Sequence, residues 1–383
     1  MSIEFQISRA ILDWIAAQQV PKKNVDMLAQ ELSRTEKERA RFLQGFITPT
    51  QAEKLAKMAD IPFGFLFLDK PPQLQSPALP DFRTTQDAVP LSRNFFDTLA
   101  DIQTKVDWYR EYLANIGALP EYLPFVGKFP LQNNPSVEAV IADMRSTLKV
   151  SNAAEWRNKG GNGSYFSHLY KQLESVGILV FNNGVVKNNN NRPLDVHEFR
   201  GFAIADKQVP VIFVNNADAK SAQLFTLLHE ATHIWIGESA ISNPSPKEEQ
   251  QAERFCNRVA AEFLVPGEML QHEWGKNDEA DRLDKLASYF CVSKQVIAIK
   301  AVQLGLMSPS GWLELREAEL RDKRENSGGG GNFYRVLPVR NSKRLTDAVV
   351  CAAMNNQLLL RDAGHLLNIQ PATVLSLYRE GSH

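Results

Sequence analysis

The chain has 383 residues with 43 Lys and Arg against 44 Asp and Glu, a net charge of -1 that excludes a polybasic, histone-like binder of nucleic acid. Hydrophobic residues make up 44%, enough for a real core and too many for wholesale disorder, and no apolar run is long enough to predict a membrane-spanning helix. The start, MSIEFQISRAILDW, lacks the basic-then-apolar build of a secretory leader. Cys256, Cys291 and Cys351 form no CxxC pair, so the expectation is a cytoplasmic protein without a cysteine-based zinc site.

Residues 1–70 predict a small all-helical domain. Ile7, Ile11, Leu12 and Ile15 recur at helical spacing, as do Val25, Leu28 and Leu32, and Thr50 with Glu53 reads as a capping box opening a third helix. Residues 71–159 read as a linker with connecting helices. The five prolines of 71–92 cannot sit in a helix, and helical spacing returns at 93–118 and 136–148. Residues 160–310 change character. A helix over 164–176 ends at Gly177, and ILVF, EFRGFAIA and VPVIFVNN read as three strands. Asp218 is placed to cap the next helix and Gly237 to end it. A second helix covers about 247–263, ended by Pro266-Gly267, with further helices at 279–290 and 293–305. Residues 311–383 read as a C-terminal helical domain, with a flexible joint NSGGGGN at 326–332 and a strand-like FYRVLPV after it. The fold class expected is α+β: a helical front, a core of small sheet plus helices, and a small C-terminal domain.

The chemistry concentrates in LFTLLHEATHIWIG, which holds His229-Glu230-Ala231-Thr232-His233. On a helix, residues four apart share a face, so two imidazoles so placed can reach one Zn²⁺. Glu230, beside the first histidine, is placed to take a proton from a metal-bound water. A catalytic zinc site needs a third protein ligand and an open position. KEEQQAERFCNRVAAEFLVP supplies Glu253, with Asn257 one turn on as a support for a ligating histidine. Glu248, Glu249 and Glu262 are rivals for the third position. The strand before the zinc helix, with Val211, Ile212, Phe213 and Val214, reads either as an ordinary core strand or as an edge strand that pairs with an extended peptide substrate. Histidines 168, 197, 272, 365 and 383 are not expected to ligate, and nothing selects His197, His272, Tyr165 or Tyr170 as an oxyanion donor.

These residues resemble the ImmA/IrrE zinc metallopeptidases. RGFAIADKQVPVIFVNNADAKSAQLFTLLHEATHIWIGES is similar to the strand–strand–active-helix core of that family, ERFCNRVAAEFLVP to its third-ligand helix, and KLASYFCVSKQVIAIKAVQLGLM to the helical tail that follows. FLQGFITPTQAEKLAKMADIPFGFLFLDKPP with LPDFRT resembles longer members that carry an XRE-type helix-turn-helix ahead of the peptidase. The resemblance implies a zincin-like fold, one zinc per chain with Mn²⁺ as the alternative metal, ligands His229, His233 and Glu253, and support from Asn257. Ala231 and Thr232 depart from the frequent Leu-Gly at non-ligand positions. Phe255 stands where the family often has an acid, which removes a rival to Glu253.

The resemblance also implies limited proteolysis of a repressor- or antitoxin-like protein, with a toxin partner as a further expectation. The alternative is a DNA-binding regulator, or an antitoxin, with a vestigial peptidase site. Residues 1–70 carry ten Lys and Arg against nine Asp and Glu, too balanced for a strong electrostatic footprint, so double-stranded DNA is a partner expected only through the helix-turn-helix resemblance.

Overall fold

The computed structural model describes residues 4–17, 19, 23–59, 61–72, 91–151, 161–242, 251–276, 278–279, 281–308 and 339–381. Glu248, Glu249, most of the proline-rich stretch 71–92, the glycine joint at 326–332 and residues 333–338 of FYRVLPV lie outside them. The chain forms two compact units. One takes in residues 1–78, 91–100 and 185–194, and the other 79–90, 101–184 and 195–383. Among the described residues no helix is long and apolar enough to cross a membrane.

The first unit is built on α1 (Arg9–Ala17), α2 (Val25–Leu32), α3 (Glu36–Leu43) and α4 (Pro49–Ala59). Their apolar faces close on one core holding Ile11, Leu12, Ile15, Leu28, Phe42 and Leu55. Asn24 caps α2 through Met27 N, and Thr35 caps α3 through Glu38 N, so Ser33, Arg34 and Thr35 make a three-residue turn between two helices. A short antiparallel pair, β1 (Phe5–Gln6) with β2 (Phe46–Ile47), ties the start of the chain to the segment before α4. The capping box of α4 stands two residues earlier than the sequence suggested. Thr48 Oγ1 accepts from Gln51 N at 3.3 Å and Gln51 Oε1 accepts from Thr48 N at 2.9 Å. Pro49 has no N–H to lose at the first helical position, which explains the shift.

In the second unit α5 (Arg93–Asn115, its first residues belonging to the first unit), α6 (Val137–Leu148) and α7 (Gly161–Ser175) precede a four-stranded sheet. Its strands are β3 (Leu179–Asn183), β4 (Gly201–Ile204), β5 (Val211–Asn215) and β6 (Ala240–Ser242), in the order β3-β5-β4-β6. β3 pairs with β5 in parallel, and β4 lies antiparallel to both β5 and β6. Alternation puts Val180, Ala203, Ile212 and Val214 on the face that packs with the central helix α8 (Lys220–Ile236). Phe202 and Phe213 stack on the opposite face with ring centroids 5.0 Å apart.

This order corrects the edge-strand expectation. Val211, Ile212, Phe213 and Val214 lie on a strand bonded on both sides, by β3 and by β4, so its backbone offers nothing to a substrate strand. Every residue of β5 is buried, as befits an interior strand covered on both faces.

Helices α9 (Gln251–Leu264), α10 (Gly267–Trp274), α11 (Arg282–Phe290) and α12 (Lys294–Gln303) follow. Pro266-Gly267 does not simply end α9. Pro266 takes the cap position of α10, and the Glu262 carboxylate accepts from Gly267 N at 2.9 Å. The chain closes with α13 (Lys343–Met354), α14 (Leu360–Leu367) and α15 (Pro371–Gly381).

Candidate metal centre

Every residue of α8 from Thr226 to Ile236 is buried. A helix enclosed on all sides should be apolar throughout. This one carries His229, Glu230, Thr232 and His233 inside, and buried polar groups need partners. Thr232 finds one locally, donating Oγ1–H to Leu228 O at 2.8 Å. The others face a site.

Both ends of α8 are held. At the start, Ala219 occupies the cap position and makes no side-chain cap bond, so Asp218 does not cap the helix as expected. Its carboxylate accepts from Ala219 N at 2.8 Å and pairs with Arg200 at 3.3 Å, one residue too early to reach the first turn. Gln223 ties that turn down instead, donating to Asn216 O and Asp218 O. At the far end Gly237 adopts φ 79°, a left-handed turn that L side chains resist, and its N–H bonds His233 O. Gly127 N and Phe129 N then donate to Ile234 O and Trp235 O at 2.9 and 3.0 Å. A Cβ on Gly237 would stand 2.8 Å from Gly127 Cα, so the crossing loop requires glycine here.

α9 supplies the third group. It buries Ala252, Glu253, Phe255, Cys256, Val259, Ala260, Phe263 and Leu264, the spacing of one apolar face with a single carboxylate set into it. Glu253 sits in the first turn, where the helix dipole favours negative charge.

Three side chains converge. His229 Nε2 and His233 Nε2 lie 3.1 Å apart, His229 Nε2 is 3.1 Å from Glu253 Oε2, and His233 Nε2 is 3.0 Å from Glu253 Oε1. Among the described residues these three form the one group of His, Cys, Asp and Glu able to share a metal ion. The neighbouring Asn257 fixes a tautomer. Its Oδ1 accepts from His229 Nδ1 at 2.9 Å, so the ring proton is on Nδ1 and Nε2 presents a lone pair to the centre.

Burial alone would raise the Glu253 carboxyl, but the His229 and His233 rings beside it outweigh burial and hold it well below the usual carboxylate range. Burial pulls His229 down, and Glu253, Glu230 and Asn257 more than reverse it. His233 stays depressed because burial and the neighbouring His229 prevail over Glu253. The centre thus pairs a firmly ionised carboxylate with two imidazoles.

The donor set fits Zn²⁺. Two imidazole nitrogens and a carboxylate are ordinary zinc ligands, and a tetrahedron with bonds of about 2.0–2.1 Å has edges of about 3.3 Å, close to the separations between these atoms. Glu230, wholly buried, lies next to His229 on the same helix.

The rival acid Glu262 is engaged elsewhere, with Lys300 and Gly267 N. His197, His272 and His365 are exposed, whereas Tyr165 and Tyr170 are core residues. Three residues against the site were not singled out from sequence. Glu238, just past Gly237, is raised by burial and by the charge of Glu253. Cys256 is fully buried one turn from Glu253, its thiol pushed up by burial and by the carboxylates of Glu253, Glu230 and Glu238. Thr226 stands four residues before Glu230 and so shares its helix face, a spacing that could have marked it.

The sheet and the enclosed helix thus bring the His-His-Glu cluster together as a candidate metal centre. The family model of the M78 peptidases, described as the IrrE N-terminal-like domain, matches residues 173–301, so this part of the chain is similar to the ImmA/IrrE peptidases. Residues 341–380, spanning α13 to α15, match a domain of unknown function, DUF8813. No curated protein and no solved structure matches the chain.

Proposed function

We propose that the protein is a zinc endopeptidase that makes a limited cut in a regulatory protein of the repressor or antitoxin type. The observation that carries this reading is the convergence of His229, His233 and Glu253 with Glu230 on the same buried helix. His229, His233 and Glu253 would hold one Zn²⁺, with Asn257 keeping His229 in its ligating tautomer. Bound there, zinc would supply Lewis acidity toward a water molecule and a peptide carbonyl. Glu230 takes the proton from the attacking water and returns it to the leaving amine nitrogen. The choice of a regulatory substrate rests on the resemblance of the whole architecture to the longer ImmA/IrrE proteins.

The test uses wild type and Glu230→Gln, each assayed for zinc and incubated with the repressor-like or antitoxin-like protein encoded beside this gene. Zinc in both with cleavage by wild type alone is the expected result. A Glu230→Gln protein that cleaves as fast as wild type defeats the reading, as does zinc in neither.

A second reading concerns the first unit. Helices α2 and α3, joined by the three-residue turn Ser33–Thr35 and each capped by a side chain, are what supports reading this unit as a helix-turn-helix that binds double-stranded DNA. With α3 carrying Glu36 and Glu38 in its first turn, DNA binding by this unit would be weak and would fall only shallowly with salt, because few phosphates are neutralised, which a mobility shift across a salt series checks.

A further inference from the structure

We infer that Gly201 is a positioning residue for Glu230, the space left by its missing side chain being what sets the Glu230 carboxylate in place; the inference rests on the metallopeptidase reading above. Gly201 opens β4, where it pairs with Val214 on β5 and with Ser242 on β6. It shares the face of β4 that Ala203 turns toward α8. Its backbone has none of the positive φ values seen at Gly177 or Gly237, so conformation does not demand glycine there. Space does. A Cβ at 201 would stand 2.7 Å from Glu230 Oε1, 2.7 Å from Phe213 O and 2.7 Å from Thr226 Cγ2. Real Cβ atoms do not approach other atoms so closely.

Thr226 and Glu230 lie one turn apart, so one stripe of α8 rests directly on bare backbone at residue 201. Adding a methyl group must displace the carboxylate, the threonine or the β5 carbonyl. The Phe213 carbonyl belongs to an interior strand and yields least. The Glu230 side chain yields by rotation, which carries its carboxylate away from its place beside the metal ligands. None of the three atoms nearest such a Cβ belongs to His229, His233 or Glu253, so metal binding should survive.

The experiment is a double-mutant cycle on the zinc-loaded full chain. Its variants are Gly201→Ala, Glu230→Gln and both together, with bound zinc measured by elemental analysis. Acetohydroxamate is the probe, a zinc chelator whose bound form gives a proton to a nearby carboxylate. Glu230→Gln should weaken the probe by about tenfold or more, the size of a lost bond to a charged group. Gly201→Ala should retain zinc and weaken the probe comparably, yet cost nothing further in the Glu230→Gln background. That non-additivity separates positioning from a general loosening of the sheet, which would lower affinity in both backgrounds.

Wild-type affinity in Gly201→Ala, or an equal loss in both backgrounds, overturns the inference and leaves the metal site standing. A wild-type protein without zinc overturns the metallopeptidase reading and the inference with it. Equal probe affinity in wild type and Glu230→Gln likewise removes both the role given to Glu230 and the inference. Should Gly201→Ala not fold alone, it is made with Thr226→Ala, which clears one of the three contacts, and the same cycle is read against Thr226→Ala.

Discussion

Where α7 meets α13, Glu174 is buried, and its carboxylate accepts from Val180 N at 3.1 Å, Ser342 Oγ at 2.6 Å and Arg344 N at 2.6 Å. Arg344 adds bonds to Tyr109 Oη and to Glu174 O, and Tyr170 Oη accepts from Lys343 N. The metal centre, in the same unit and equally buried, is wired differently. At Glu174 donors meet acceptors, and the cluster is complete as a set of hydrogen bonds. It even holds Ser342 at φ 62°, a strained value for a non-glycine residue, at the cap of α13. At His229, His233 and Glu253 the atoms that meet are a lone-pair nitrogen and carboxylate oxygens, a set that calls for a cation at its middle. Buried polarity is common to both. The sign of the groups that converge separates a structural joint from a site.

The strongest way to break this contrast is to remove a converging ligand. His233→Ala should abolish stoichiometric zinc and all cleavage while leaving a folded protein, read by elemental analysis and circular dichroism. The same operation at the joint should do the opposite. Glu174→Ala strands three buried donors, so it should lower stability by roughly 2–4 kcal/mol in a denaturant titration while zinc content stays at the wild-type level.

Acid sharpens the comparison further. Burial raises the Glu174 carboxyl above its ordinary value of 4.5, outweighing the lowering effect of Ser342, Val180, Arg344 and Tyr170. A carboxyl raised by folding binds its proton more tightly in the native state. Its favourable contribution is therefore complete below 4.5 and is lost as pH rises through the higher native value. The stability of wild type relative to Glu174→Gln should accordingly decline as pH rises from 4.5 toward neutrality, a trend followed by denaturant midpoints across pH. The smallest effect belongs to Asn257→Ala. Losing its bond to His229 Nδ1 should weaken zinc about 10–100-fold, measured by competition with a chelator, and leave the fold intact.

The two clusters also differ in how far the sequence discloses them. Two histidines four apart on one helix, with an acid between, are a local pattern, and the helix end at Gly237 is written beside them. Glu253 lies only twenty residues past His233 on the next helix, again at short range. The Glu174 joint brings together residues 168 and 170 positions apart, with no spacing to betray it.

The place of β5 was hidden for a related reason. VIFVN is buried on both faces, so alternation carries no register. The strand that takes the outer position, β6, is only three residues long and follows α8 closely. Gly201 was missed because a strand glycine looks like a weak point until the residue packed across it is known. Asp218 and Thr50 each stood near a true helix start, one residue early and two residues late, the kind of offset that loop bonding and Pro49 decide.

The central claim is that the His229, His233 and Glu253 cluster is a cation site, and zinc stoichiometry tests it most directly. The full chain is loaded with zinc, dialysed free of excess and compared with His233→Ala and Glu174→Ala treated alike. The account predicts one zinc per chain in wild type and in Glu174→Ala and none in His233→Ala. Equal zinc in wild type and His233→Ala, or none in wild type, would contradict it.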